Sequence, residues 1–168
     1  MGVPVVGWDS LRYFWRRKSP EQTTADLTAA MAAYGAQWRA DRFVLIGYSF
    51  GADVLPVVYN LLPPRYRDEI AMISLLGLEP KADWEIRMVG WFGAPPSESA
   101  TPLAPEFAKI SPGLIQCFYG VEEKDSACHA LAGTGAELVE TPGEHHFGHD
   151  YDAIAKDIVD GLRRRGAL

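Results

Sequence analysis

Gly47-Tyr48-Ser49-Phe50-Gly51 fits the pattern G-x-S-x-G, and its flanks constrain the fold more than any other part of the chain. The apolar run Phe43 to Ile46 enters it, and a helix-like stretch, Ala52 to Leu62, leaves it. Strand, sharp turn, helix is the order a nucleophile elbow needs. Such a turn holds its serine in strained backbone geometry, so close neighbours must lack Cβ atoms, which accounts for Gly47 and Gly51. It also lifts the hydroxyl off the sheet, above the N-terminus of the following helix. That end carries partial positive charge and favours a developing anion. Taken alone, the five residues also fit an ordinary Gly-Ser turn between a strand and a helix, so the remaining elements decide.

Val3 to Val6 is a short β-branched run ending at Gly7 and reads as a buried strand. The segment Leu11 to Lys18 interleaves aromatics with Arg12, Arg16, Arg17 and Lys18. It is either an exposed loop whose aromatics pack on the body, or an anion-recognition surface, since loops after parallel strands lie at the ligand-binding edge. Ser19-Pro20-Glu21-Gln22 opens a helix with Ser as N-cap and Pro at N1. Leu27, Met31, Tyr34 and Trp38 recur on it at helical spacing and form a core face. Arg42 to Ile46 is the second strand, and Pro56 is expected to bend the helix beyond it. Ile70 to Leu76 is the third strand, Leu114 to Tyr119 the fourth, and Glu137 to Thr141 the fifth. Tyr151, Ile154, Ala155, Ile158 and Leu162 mark a final amphipathic helix, with Arg163, Arg164 and Arg165 solvated at its end.

Between the third and fourth strands, residues 77–113 hold many of the prolines and read as a lid or insert loop. Trp84, Trp91 and Phe92 there suit an apolar substrate wall, or plain packing of the lid. Strands alternating with helices predict a single α/β domain over 1–168. It would be a three-layer αβα arrangement around a mainly parallel sheet of about five strands, with function at the C-terminal strand ends.

A net charge of −6 argues against direct nucleic-acid binding. No apolar run approaches the roughly 20 residues of a membrane span. No secretion signal is legible, because Met1-Gly2 leads straight into a short apolar run. Cys117 and Cys128 are spaced to be either reduced core thiols or one disulfide. No metal-ligand pattern is present, and His129, His145, His146 and His149 are too few and too badly spaced to suggest zinc. Neither a metal nor a cofactor is expected.

A serine hydroxyl needs a base to take its proton and a carboxylate to orient that base. Here Ser49 follows the second strand, acids follow the fourth, and histidines follow the fifth. Ser, then Asp/Glu, then His is the chain order of an α/β hydrolase. Among Glu122, Glu123 and Asp125, a carboxylate a few residues past the strand reaches the histidine loop, which selects Asp125; Glu122 or Glu123 is the fallback. The G-x-x-H spacing from Gly143 selects His146, with His145 as fallback, and leaves His129 and His149 as surface residues. The backbone N–H of Phe50, the residue after the nucleophile, is one oxyanion donor.

These residues resemble the bacterial virulence protein family VirJ and the matching C-terminal domain of AcvB. The likeness covers nearly the whole chain. It is carried by Gly2 to Gly7, Asp9 to Trp15, Lys18 to Glu21, Ile46-Gly47-Tyr48-Ser49-Phe50-Gly51-Ala52-Asp53-Val54-Leu55-Pro56, and Pro142-Gly143 with His145-His146-Phe147. The resemblance implies a periplasmic α/β hydrolase with Ser49 as nucleophile, acting on an aminoacylated phosphatidylglycerol, or a docking module of type IV secretion with envelope partners. For a lipid ester, with peripheral membrane contact, Arg12, Arg16, Arg17 or Lys18 would meet the phosphate. Asp9, Asp53, Glu144 or Asp150 would meet a cationic aminoacyl group. A periplasmic setting would permit a Cys117–Cys128 disulfide. In the family pattern an earlier strand and glycine-rich turn supply a second oxyanion donor, and that strand lies between those of Val3 and Phe43. The sequence has neither, so the sheet is expected to lack its N-terminal strands. Then the two flanking strands close up, a partner fills the gap, or the chain is a fragment of impaired activity.

Overall fold

β2 (Ile70–Leu76) is buried along its whole length because both of its faces are covered. The computed structural model describes residues 2–86 and 97–168. Among these, β2 lies inside a four-stranded parallel sheet of order β1 (Phe43–Tyr48), β2, β5 (Ile115–Gly120), β6 (Glu137–Thr141). Side chains alternate along the central strands. Ile73, Leu75, Ile115 and Cys117 point to one core, shared with Val54, Val57 and Val58 of α3 (Phe50–Leu61). Met72, Leu76 and Phe118 point to a second core, closed by Ile154, Ile158 and Leu162 of α6 (Tyr151–Arg164). The result is the expected three-layer α/β arrangement.

Capping side chains set the start of some of the helices. Ser19 accepts the N–H of Gln22 at 3.1 Å and starts α2 (Pro20–Trp38). Asp150 accepts the N–H of Ala153 at 3.0 Å and starts α6. Gly35 lets α2 lie against Phe43, since a Cβ there would come within 2.9 Å of the ring. The basic end of α6 is not merely solvated. Glu137 of β6 binds Arg164 and Arg165, and Arg165 also donates to the carbonyl oxygens of Gly113 (2.8 Å) and Ile115 (3.1 Å). Burial works against the charge on Glu137, but hydrogen bonds from Arg165, Arg164 and Gln116 outweigh it and hold its carboxyl below the usual range.

Val3 to Val6 does not form the expected strand: these residues are irregular, with Val3, Val5 and Val6 40%, 77% and 44% exposed. Their apolarity suits a strand, but a strand needs a ladder partner, and Pro4 withholds an N–H. Nor do they close up on β1, whose outer edge carries no strand among the described residues.

The described parts of the 77–113 insert are anchored. Leu78, Ala82, Leu103 and Ile110 are buried, and β3 (Lys81–Ala82) pairs antiparallel with β4 (Thr101–Pro102). Of the short helices, α1 (Ser10–Tyr13) precedes α2, α4 (Pro64–Asp68) leads into β2, and α5 (Ala104–Phe107) follows β4.

Candidate active site

Ser49 joins β1 to α3 with φ 53° and ψ −124°, a strained conformation for any residue but glycine. The turn is locked from two sides. The N–H of Ser49 donates to the carbonyl oxygen of Leu76 at the end of β2 (2.8 Å), and its own carbonyl accepts the N–H of Ala52 (2.7 Å). Gly47 is required, because a Cβ there would lie 2.4 Å from the carbonyl oxygen of Gly51. Gly51 is not required in the same way: a Cβ would first meet Ser10 Oγ, at 3.7 Å.

A serine at the N-cap of a helix ordinarily spends its hydroxyl on a backbone N–H. Ser49 does not; its side chain makes no capping bond and is half-buried. Phe50 is the first residue of α3, so its N–H has no acceptor within the helix. The hydroxyl and one donor for an oxyanion therefore both stand at the turn.

Glu123 and His145 come from two loops stitched together beyond β5 and β6. The N–H groups of Val121 and Glu122 donate to the carbonyl oxygens of Thr141 (2.8 Å) and Gly143 (3.1 Å). Gly120 allows this contact, since a Cβ there would lie 2.3 Å from the Gly143 oxygen. Glu123 turns back over its own strand, with Oε2 accepting the N–H of Gly120 at 2.7 Å. Its Oε1 lies 2.9 Å from His145 Nδ1. The imidazole rests on Gly77: a Cβ there would come within 2.5 Å of Cε1 and 3.3 Å of Nε2. Gly77 directly follows Leu76, the residue that holds the Ser49 N–H. The serine turn and the carboxylate-held imidazole thus both border the end of β2.

The structure pairs Glu123 with His145, the two fallback residues, and not Asp125 with His146. Asp125 lies farther along the loop, exposed and hydrogen-bonded to no described residue. His146 is also exposed; its Nδ1 faces Tyr48 Oη at 2.7 Å and its ring stacks on His149 at 5.6 Å. The reason is local. The turn that closes the Glu123 N–H on the Gly120 carbonyl at 2.9 Å aims the third residue after the strand at the histidine loop and the fifth away from it. His129 and His149 are exposed, as expected.

The proposed substrate wall is also revised. Trp84 is 5% exposed, and its indole N–H donates to Thr101 Oγ1 at 3.1 Å, so it belongs to the core. Trp91 and Phe92 lie outside the described residues. Asp53 is only 7% exposed and accepts the N–H of Glu79 at 2.9 Å. It ties α3 to the loop after β2, and does not line an open surface. Burial, reinforced by the charges of Glu79 and Asp83 and only partly offset by the Glu79 N–H, pushes its carboxyl up to about 8. Arg12, Arg16 and Arg17 are exposed on the segment whose Phe14 packs on Phe50, ring centroids 4.8 Å apart.

Sequence reasoning missed the side-chain role of Tyr48, read only as a backbone donor beside Phe50, and missed Gly77 altogether. Tyr48 holds the histidine loop through its hydroxyl and stacks near the His145 ring, 5.3 Å away. Gly77 makes room for that ring. Tyr48 was readable as the residue before the serine; nothing local marks Gly77. The two cysteines form a disulfide, Cys117–Cys128, which spans the loop bearing Glu123.

No curated protein matches the chain closely enough to count as a relative. A family model does match, described as bacterial virulence protein (VirJ), over residues 1–166. With the match running almost from end to end, the chain belongs to the VirJ family of bacterial virulence proteins.

Proposed function

We propose that this protein is a serine hydrolase that cleaves an ester through Ser49, His145 and Glu123. One observation carries the reading: a carboxylate-held imidazole is seated on the backbone that also locks a strained serine whose hydroxyl is not spent on capping. Glu123 holds Nδ1–H and leaves Nε2 to accept the Ser49 proton. Oγ then attacks the ester carbonyl, and the oxyanion falls to the Phe50 N–H. Collapse expels the alcohol, which takes its proton from His145. Water, deprotonated by the same ring, releases the acid and restores the serine.

The substrate we favour is an aminoacylated phosphatidylglycerol of the bacterial envelope, which is what likeness to the AcvB domain implies. The Cys117–Cys128 disulfide supports an oxidising compartment such as the periplasm. The test is covalent labelling by a fluorophosphonate. Wild type should label, and Ser49→Ala should not. Equal labelling of both, or of neither, overturns the reading.

A second reading has one observation in its favour. Ser49 Oγ makes no hydrogen bond with His145 or any other described residue, as in a fold kept for its surface. That reading is a non-catalytic docking module of a type IV secretion or virulence system. It predicts no labelling and no ester turnover. Catalytic hydrogen bonds are often long before substrate binds, so the hydrolase reading is preferred.

A further inference from the structure

The segment ahead of α2 presents an outward surface that neither core uses. Trp8, Leu11 and Trp15 are 41%, 43% and 54% exposed, whereas Phe14 among them is buried against Phe50. Leu11 and Trp15, four residues apart, face away from the anchored side of the same turn. Val3, Val5 and Val6 extend the exposed apolar surface. Arg12, Arg16 and Arg17 are exposed beside them, and none forms a salt bridge with another described residue. The carboxylate of Asp9, the one acid in this stretch, accepts the N–H of Arg12 at 3.0 Å. Arg17 lines a cleft with Asp83 and Glu85, but no described acid comes within ion-pair distance of any of the three arginines.

Exposed arginines set among outward tryptophans match one kind of partner well. Indole rings settle at the headgroup level of a bilayer, and guanidinium groups pair with lipid phosphates. We propose that residues 3–17 dock this protein on an anionic bilayer surface. Trp8, Leu11 and Trp15 enter the headgroup layer, and Arg12, Arg16 and Arg17 meet the phosphates. The same segment adjoins the elbow, with Ser10 Oγ 3.7 Å from where a Cβ on Gly51 would lie. Docking would therefore bring the rim that holds Ser49 to the lipid surface. The inference concerns adsorption and stands whether or not Ser49 turns over.

The experiment uses the Ser49→Ala protein, so that hydrolysis plays no part. It is sedimented with vesicles of phosphatidylcholine alone, or of phosphatidylcholine with phosphatidylglycerol, at low and high salt. The expected result is binding to the anionic vesicles only, weakened by salt. Brominated lipid should quench the tryptophan fluorescence. Arg12→Ser/Arg16→Ser/Arg17→Ser should weaken binding at least about tenfold, and Trp8→Ala/Trp15→Ala should remove most of the quenching, with circular dichroism unchanged in both. The proposal is overturned by no sedimentation with anionic vesicles, by equal binding to neutral ones, or by folded variants that bind like the parent. Quenching and salt dependence are read on the parent protein, so a variant that fails to fold leaves the test intact.

Discussion

Tyr48 Oη lies 2.7 Å from His146 Nδ1 and 3.3 Å from the carbonyl oxygen of His145, so the residue before the serine grips the loop that carries His145. Tyr48→Phe keeps the ring contacts and removes that grip. The expected outcome is a fall of about fivefold in kcat with KM little changed, consistent with one lost, partly exposed hydrogen bond. Steady-state kinetics on a chromogenic ester would measure it.

Glu123 and Asp125 give opposite expectations. Glu123→Gln should lower the rate by roughly 100-fold or more, as removal of a histidine-orienting carboxylate does. Asp125→Asn should leave it within about twofold, because Asp125 is exposed and touches no histidine. Fluorophosphonate labelling rates of the two variants, side by side, check the assignment.

Cys117 and Cys128, separated by 11 positions, close a loop around Glu123. Replacing both with alanine should cost about 3 kcal/mol by the loop-closure argument. The labelling rate should fall as well, because the acid loop loses its tether. Urea unfolding of wild type and double variant provides the first number.

Glu137 links stability to acid. Its carboxyl is held below its ordinary value of 4.5 in the folded state. A depressed carboxyl contributes stability above the unfolded value and loses it as pH falls through the folded one. Glu137→Gln should therefore destabilise by about 1–2 kcal/mol at pH 7, and the difference should shrink below about pH 4. Thermal melts across that range decide it.

Asp53 runs the other way. Its carboxyl is raised from 3.8 to about 8, so its contribution is full below the unfolded value and is lost as pH rises through the folded one. Asp53→Asn keeps an oxygen for the Glu79 N–H and removes a charge that burial penalises. The variant should gain at least about 1 kcal/mol over wild type at pH 9 and little or nothing near pH 4. Melting curves that remain parallel across this range would contradict it.

The frame of the site was legible because each part sits in an element with a strong local pattern. The turn at Ser49 was set by its glycine and its flanking strand and helix, and the acid and histidine loops by the strands they follow. Glu123 and Asp125 could not be told apart, since they differ only by a backbone turn closed on Gly120. Val3 to Val6 misled because a β-branched run records readiness to pair and says nothing of a neighbour. Asp53 looked like a surface acid because its burial depends on the distant loop at Glu79.

Gly77 matters for reading related chains. It sits at φ 65°, with the imidazole edge where its first carbon substituent would go. One methyl group at this site would evict the ring while leaving serine, glutamate and histidine untouched in the sequence. On the proposed mechanism, a homologue altered there would retain every recognisable letter of a hydrolase and lack a working base, so position 77 should be read before such a chain is counted as active.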